Sequence, residues 1–164
     1  MDYPLLENKL PETLKKVWRK TSFTTLLIAL LLGVIITGIF FYFDALQGTW
    51  LIVSLSYFAL AIVIYLLNFL LIDYRYNFFR YEVTSKEIIF QQGFIFRSIT
   101  YVPFSRIQHI ETEQGPFLRR EQLMELIIHT SATDHSIAGL SIEEAQMIRQ
   151  NVMRKVEETD EYEE

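Results

Sequence analysis

The chain has 164 residues, of which 51% are hydrophobic, and its formal net charge is −5 at pH 7. It contains no cysteine, which excludes a disulfide framework and a thiol nucleophile. The negative charge balance provides no basic field that would neutralise phosphates, so nucleic acid is excluded as a partner.

Two uncharged apolar runs, Phe23–Phe43 and Trp50–Ile72, dominate the first half of the chain and are separated by the short stretch Asp44–Thr49. A bilayer core of roughly 30 Å needs about 20 helical residues, so each run is long enough to cross it. The short connection predicts a transmembrane hairpin. A cleaved signal sequence is the competing interpretation of the first run, which exceeds the about 7–15 apolar residues usual in such signals.

Basic residues flank the hairpin at its outer ends, whereas the turn carries Asp44 and no cation. The positive-inside rule therefore predicts a multi-pass protein of the cell membrane with both termini cytoplasmic. The same cations are candidate contacts for anionic lipid headgroups, although membrane topology alone also explains them. They are Lys15, Lys16, Arg19 and Lys20 before the first span, and Arg75 and Arg80 after the second.

After the hairpin the apolar pattern changes to short segments rich in Ile, Phe, Tyr, Val and Thr, separated by turn-prone residues. This pattern predicts antiparallel strands around a small core, as an open or partly closed barrel rather than a flat sheet. The predicted strands are Arg80–Thr84, Glu87–Gln91, Phe94–Val102, Arg106–Thr112, Leu123–Thr130 and Ser136–Leu140.

The last predicted element is a helix. Ser141 and Glu144 have the spacing of a capping box, and an apolar stripe follows at helical spacing. The stripe is expected to cover the sheet or barrel end, with a partner interface as the alternative. It consists of Ile142, Ala145, Ile148, Val152 and Val156.

Four regions are expected: a cytoplasmic N-terminal segment (1–22), the hairpin (23–72), one cytoplasmic domain (73–156) and an acidic tail (157–164). The tail is predicted to be solvated and disordered, with docking to a cationic partner as the alternative. The fold class is thus a membrane α+β protein.

Several motifs after the hairpin occur in the order found in a known family. The chain resembles the bacterial membrane-flanked pleckstrin-homology-like domain, of the YdbS-like type, over most of Phe79–Val156. One departure is Glu121-Gln122, where the family often has a glycine before its next strand. The motifs are Ile88-Ile89-Phe90-Gln91-Gln92-Gly93-Phe94-Ile95, Tyr101-Val102-Pro103-Phe104-Ser105-Arg106-Ile107-Gln108-His109-Ile110, Gln114-Gly115-Pro116-Phe117-Leu118-Arg119-Arg120, Ile127-Ile128-His129-Thr130, and Ile137-Ala138-Gly139-Leu140 before Glu143-Glu144-Ala145.

This resemblance implies a seven-stranded, strongly bent pleckstrin-homology (PH) barrel closed by the C-terminal helix and held beneath the cytoplasmic membrane. It implies no assigned reaction. Members often occur beside a larger relative with several similar domains, and some are linked to tolerance of membrane-active antimicrobial peptides and so to envelope stress. A complex with such a relative, or with further copies of the chain, is therefore expected.

No catalytic or metal-binding pattern is apparent, so we expect no enzyme, no metal and no cofactor. His109, His129 and His135 show no metal-ligand spacing, and Glu111 and Glu113 share one strand face as carboxylates on solvated edges often do.

Two further groups are candidate contact sites. Small residues at Ala29, Gly33 and Thr37 mark one face of the first span, which predicts a helix contact with the second span or with another chain. In the loop Gln114–Arg120, the apolar Phe117 and Leu118 and the basic Arg119 and Arg120 are predicted either to meet a partner or lipid headgroups, or to fold back onto the barrel.

These features favour a non-enzymatic accessory or scaffold subunit of a membrane complex. The alternative is a membrane sensor that binds anionic lipid. A specific inositol-phosphate pocket is not expected, because the first hairpin turn offers only Lys86, beside Glu87.

Overall fold

The computed structural model describes residues 5–43, 47–93 and 97–161. The predicted turn at Asp44, the start of the predicted strand Phe94–Val102 and the end of the acidic tail lie outside the described residues. The chain divides into two compact units, of which one is Trp18–Ile72 and the other combines Met1–Val17 with Asp73–Glu164.

Two thirty-residue helices, α1 (Thr13–Tyr42) and α2 (Thr49–Phe78), account for the apolar half of the chain. Only 6% of the most apolar window of each helix is buried, so these helices do not form the core of a soluble domain. They have the length and composition of membrane spans, which confirms the predicted hairpin. Both helices extend beyond the predicted spans, because an apolar run marks only the part of a helix that faces lipid.

The first sheet contains four antiparallel strands in the order β1-β2-β3-β4. Its strand β1 precedes the hairpin in the chain and pairs with β2, which follows the hairpin. Among the described residues, β1 brings the strand total of the two sheets to seven. The strands are β1 (Asn8–Lys9), β2 (Arg80–Val83), β3 (Glu87–Gly93) and β4 (Arg97–Pro103).

A 3₁₀ turn at Phe104–Arg106 leads from β4 into the second sheet, whose order is β5-β6-β7. The ladders of the two sheets are separate among the described residues, which agrees with the open form of the predicted barrel. The strands are β5 (Ile107–Glu113), β6 (Leu123–Thr130) and β7 (Asp134–Ser141), and the short helix α3 (Pro116–Arg120) joins β5 to β6.

The C-terminal helix α4 (Ile142–Glu161) begins at the predicted capping box. The Ser141 hydroxyl accepts a hydrogen bond from the Glu144 amide (3.2 Å), and Glu144 Oε2 accepts from the Ser141 amide (3.1 Å). The middle of the apolar stripe is buried, and α4 contacts the second sheet and the 3₁₀ turn. The stripe therefore covers the β-structure, as predicted.

The helix also continues through Glu161, so the beginning of the segment predicted to be a disordered tail is helical. Glutamate is a good helix former, and extending an established helix costs less than starting one.

An N-terminal strap, residues 5–17, is not a separate segment but forms part of the unit that combines Met1–Val17 with Asp73–Glu164, which we call the β-domain. The amide of Leu6 donates to Gln91 Oε1 (3.2 Å), and its carbonyl accepts from Arg80 Nη1 (2.8 Å). Leu10 and Leu14 are buried, with 2% and 0% of their surface exposed. The strap thus supplies both a strand and core side chains to the domain that follows the hairpin.

Candidate functional site

The predicted small-residue face of α1 lies against α2 within the hairpin. Gly33 is buried, and a Cβ added there would lie 2.6 Å from Tyr57 Cε1 and 2.9 Å from Phe58 Cε1. The Tyr57 hydroxyl donates a hydrogen bond to the carbonyl of Ala29 (2.9 Å). Thr37 is half-buried on the same face. Close approach of the two helices therefore depends on the missing side chain at Gly33.

A cavity of about 370 Å³ opens between α1 and α2, towards the ends of the helices that adjoin the β-domain in the sequence. Aliphatic side chains of Leu, Ile and Ala form part of its wall. Polar side chains contributed by both helices line it: Thr21, Ser22, Thr25, Tyr57, Tyr65 and Asn68.

Several polar groups of the cavity bond to backbone carbonyls of the hairpin. Thr25 Oγ1 donates to the Thr21 carbonyl and Asn68 Nδ2 donates to the Ile64 carbonyl, each at 2.9 Å. A hydroxyl that donates one hydrogen bond still has lone pairs, and an amide has a separate acceptor oxygen. The cavity therefore presents acceptors to a group that enters it.

Two of the six predicted surface cations are engaged within the β-domain unit. Lys15 Nζ lies 2.9 Å from Asp73 Oδ1 and 4.5 Å from the centre of the Tyr76 ring. Arg80 donates to backbone carbonyls at Leu6 (2.8 Å) and Asn77 (3.3 Å). These two cations hold the strap and the end of α2 together.

The other four cations differ in their surroundings. Arg19 lies over the Phe69 ring at 5.3 Å, and Arg75 lies over the Phe79 ring at 5.1 Å. Lys16 is exposed. The last of the six, Lys20, is half-buried.

Another cation, Arg97 at the start of β4, was not among the predicted contacts. Its Cζ lies 3.9 Å from the centre of the Phe78 ring, and its Nη2 lies 3.5 Å from the Tyr74 hydroxyl. The rings of Tyr74 and Phe78 are 4.9 Å apart. We call Tyr74, Phe78 and Arg97 the Arg97 cluster. Arg97 is distant in sequence from Tyr74 and Phe78, and only its position as a lone cation in an apolar segment distinguishes it in the sequence.

The segment predicted as an interaction loop contains helix α3, with Pro116 in its first turn. Proline has a backbone angle suited to that position, which explains why this segment is helical rather than a loop. Phe117 and Leu118 are half-buried, whereas Arg119 and Arg120 are exposed. The apolar pair is thus partly covered by its own domain and partly accessible.

Strand pairing brings together two histidines that are far apart in sequence. The rings of His109 and His129 stack with centres 4.2 Å apart. His129 Nδ1 lies 2.9 Å from Asp134 Oδ1, and its Nε2 lies 3.4 Å from Glu111 Oε2. Within the described ranges, no group of three or more His, Cys, Asp or Glu side chains is arranged to hold a metal ion.

Tyr81, on β2, is a buried titratable group of the β-domain. Burial raises the pKa of its phenol, and the negative charge of Glu144 raises it further. Tyr81 therefore stays neutral at physiological pH and acts as a core residue.

Comparison with known proteins gives the family. The sequence profile described as Bacterial PH domain matches residues 14–156. The chain belongs to this family. The match spans both the hairpin and the β-domain of this bacterial PH domain protein. It begins at the buried Leu14, and the earlier residues of the strap precede it.

One relative of this bacterial PH domain protein is the UPF0699 transmembrane protein YdbS of Bacillus subtilis (strain 168). The two are 32% identical over 152 residues, which cover 88% of this chain and 89% of the relative. No solved structure matches the chain. The description of the relative as transmembrane agrees with the two long apolar helices, and the chain is a membrane protein.

Proposed function

We propose that the chain is a non-enzymatic accessory or scaffold subunit of a membrane complex and presents its PH-like domain at the cytoplasmic face. The partner is another membrane protein. The resemblance of the motifs suggests a larger relative with several PH-like domains, and a role in envelope stress or antimicrobial-peptide tolerance.

The observation that carries this proposal is the hairpin cavity, whose mostly apolar wall carries hydroxyl and amide groups from both helices. Lipid tails cannot hydrogen-bond, so polar side chains within a span are usually covered by protein or water. Two helices alone leave the cavity open between them, with Asn68 and the hydroxyls of both helices on its walls. A partner helix that brings a polar side chain would satisfy the remaining acceptors.

Photo-crosslinking in native membranes tests this use of the cavity. Leu60 lines the cavity and is 59% exposed, so a benzoylphenylalanine at this position would lie beside a helix that occupies it. Leu70, which is 71% exposed and not among the cavity-lining residues, provides the control position. We expect one protein adduct of defined mass from position 60 and none from position 70.

Adducts to lipid alone at both positions would contradict the proposal. A protein adduct of equal yield at both positions would show that a partner touches the hairpin without occupying the cavity. That result would also contradict the proposal.

The orientation of the hairpin is part of the proposal. The pairing of Asn8 with Tyr81 supports a common compartment for both ends, because the two residues precede and follow the hairpin. The flanking cations support the cytoplasmic side. Because the chain has no cysteine, single cysteines at Thr49 and Ser131 give a clean accessibility test. An impermeant maleimide is expected to label position 49 in intact cells, and position 131 only after the membrane is opened.

The alternative function, a sensor of anionic lipid, receives less support from the six predicted cations. Lys15 is paired with Asp73 and Arg80 donates to backbone carbonyls, so their charges are already used inside the domain. The partly accessible Phe117 and Leu118, beside Arg119 and Arg120, instead suit a second contact with the partner.

A further inference from the structure

The Arg97 cluster lies where α2 leaves the apolar part of its sequence. The apolar run ends at Ile72, and Tyr74 and Phe78 follow on the same continuous helix. At about 1.5 Å per residue they lie roughly 3 and 9 Å beyond that end along the helix axis. The headgroup layer is about 5–8 Å thick on each side of the hydrocarbon core. Tyr74 therefore falls within this layer, and Phe78 falls just beyond its outer edge.

The geometry of the cluster leaves the guanidinium accessible. Arg97 is exposed, and Tyr74 is 45% exposed. None of the ion pairs among the described residues involves Arg97. Its guanidinium lies over the face of Phe78, and the Tyr74 hydroxyl is near one nitrogen. Contact with a ring face does not use the N–H groups of a guanidinium, which stay available as hydrogen-bond donors.

The chemistry of this arrangement favours a phosphate. A planar guanidinium can donate two parallel hydrogen bonds to one phosphate, which an ammonium cannot do. Tyrosine is enriched at the level of lipid headgroups, where its ring meets apolar chains and its hydroxyl meets water. Arginine, hydroxyl and ring therefore match a phosphodiester that is attached to acyl chains.

We propose that the Arg97 cluster binds the phosphate of an anionic phospholipid headgroup. Arg97 holds the phosphate with its guanidinium edge, the Tyr74 hydroxyl contributes a further hydrogen bond, and Phe78 orients the arginine. The site anchors the start of β4 to the bilayer surface. It does not depend on the proposed scaffold role, because it uses no residue of the hairpin cavity.

The test uses the full chain in detergent micelles and follows its thermal unfolding while phosphatidylglycerol is added. Arg97→Gln removes the positive charge and the guanidinium that donates two parallel hydrogen bonds. Arg149→Gln removes the charge of another exposed arginine, on α4, and serves as the matched control. We expect the apparent affinity for phosphatidylglycerol to fall about fivefold in Arg97→Gln, which corresponds to the ~1 kcal/mol of one cation near the surface. Arg149→Gln is expected to stay within about twofold of the parent on the same basis.

Two further additions identify the source of the phosphate. Phosphatidylcholine, which has no net charge, is expected to stabilise the parent chain much less than phosphatidylglycerol. Glycerol 1-phosphate in solution is expected to have no effect at the same concentration, because it lacks the acyl chains. Equal stabilisation by glycerol 1-phosphate would overturn the assignment to a lipid.

Unchanged phosphatidylglycerol affinity in Arg97→Gln would overturn the proposal, and so would an equal loss in Arg149→Gln. If Arg97→Gln does not fold, Arg97→Lys keeps the charge and takes its place. The lysine variant is expected to bind phosphatidylglycerol more weakly than the parent because it cannot form the paired hydrogen bonds. If the lysine variant bound phosphatidylglycerol as tightly as the parent, the proposed paired hydrogen bonds from the guanidinium would be contradicted.

Discussion

Leu14 occupies the space that a side chain at Gly139 would need. A Cβ added to Gly139 would lie 2.5 Å from Leu14 Cδ1, and Leu14 is completely buried. Gly139 also has a φ angle of +98°, which L-residues with a side chain rarely adopt. A residue of the strap before the hairpin and a residue of the last strand therefore share one packing site in the β-domain.

The first prediction concerns this site. Gly139→Ala is expected to destabilise the chain by about 1–3 kcal/mol, through backbone strain and overlap with Leu14. Gly115→Ala is the control, because an added Cβ there meets no atom within 4 Å and φ is −64°. Thermal unfolding in detergent measures both, and equal midpoints for the two variants would refute the packing argument.

The second prediction concerns the core leucines of the strap. Leu10→Ala is expected to cost about 2–5 kcal/mol, the usual range for truncating a buried leucine. Leu5→Ala changes a leucine that is 52% exposed, against 2% for Leu10, and is expected to cost less than about 0.5 kcal/mol. The unfolding midpoints of the two variants provide the comparison. A similar small effect in both would mean that the strap is not part of the domain core.

The third prediction concerns the contact between α1 and α2. Gly33→Ala is expected to lower stability by about 1–3 kcal/mol, since the new methyl group would displace Tyr57 and weaken its bond to the Ala29 carbonyl. Gly38→Ala on the same helix adds a methyl group that meets no atom within 4 Å. Because alanine favours helix over glycine, the control is expected to be neutral or slightly stabilising. Thermal unfolding should rank Gly33→Ala below the parent and the control, and the reverse order would exclude close helix packing at Gly33.

The fourth prediction concerns the position where the family often has glycine. Gln122 has a φ angle of +56°, a left-handed conformation that glycine adopts without steric cost. Gln122→Gly is therefore expected to stabilise the domain by about 0.5–1 kcal/mol. The matched change Gln146→Gly, at an exposed position inside α4, is expected to destabilise by about 1 kcal/mol. Chemical or thermal unfolding shows whether each variant gains or loses stability. A loss of stability in Gln122→Gly would contradict the left-handed conformation assigned to Gln122.

The elements that could be predicted are those whose signals are local in the sequence. The membrane helices follow from the length of two apolar runs, and α4 follows from the Ser141–Glu144 capping box and the stripe behind it. Six strands follow from short β-branched and aromatic segments. Each of these signals lies within or directly beside the element that it predicts, and all of these elements are present in the structure.

The features that escaped prediction depend on contacts between distant parts of the chain. Strand β1 has only two residues and becomes a strand because β2 pairs with it. The stacking of Arg97 on Phe78 and of His109 on His129 likewise requires the folded sheet. Helix α3 is different, since Pro116 after Gly115 is a recognisable local start for a helix.

The pairing of β1 with β2 has a consequence for biosynthesis. Asn8 is translated before the entire hairpin, whereas its pairing residue Tyr81 is translated after it. The buried leucines of the strap therefore stay uncovered until both helices and β2 have been made. Synthesis of the whole hairpin is thus a precondition for completing the β-domain, and a nascent chain that ends before Tyr81 leaves β1 without the strand that pairs with it.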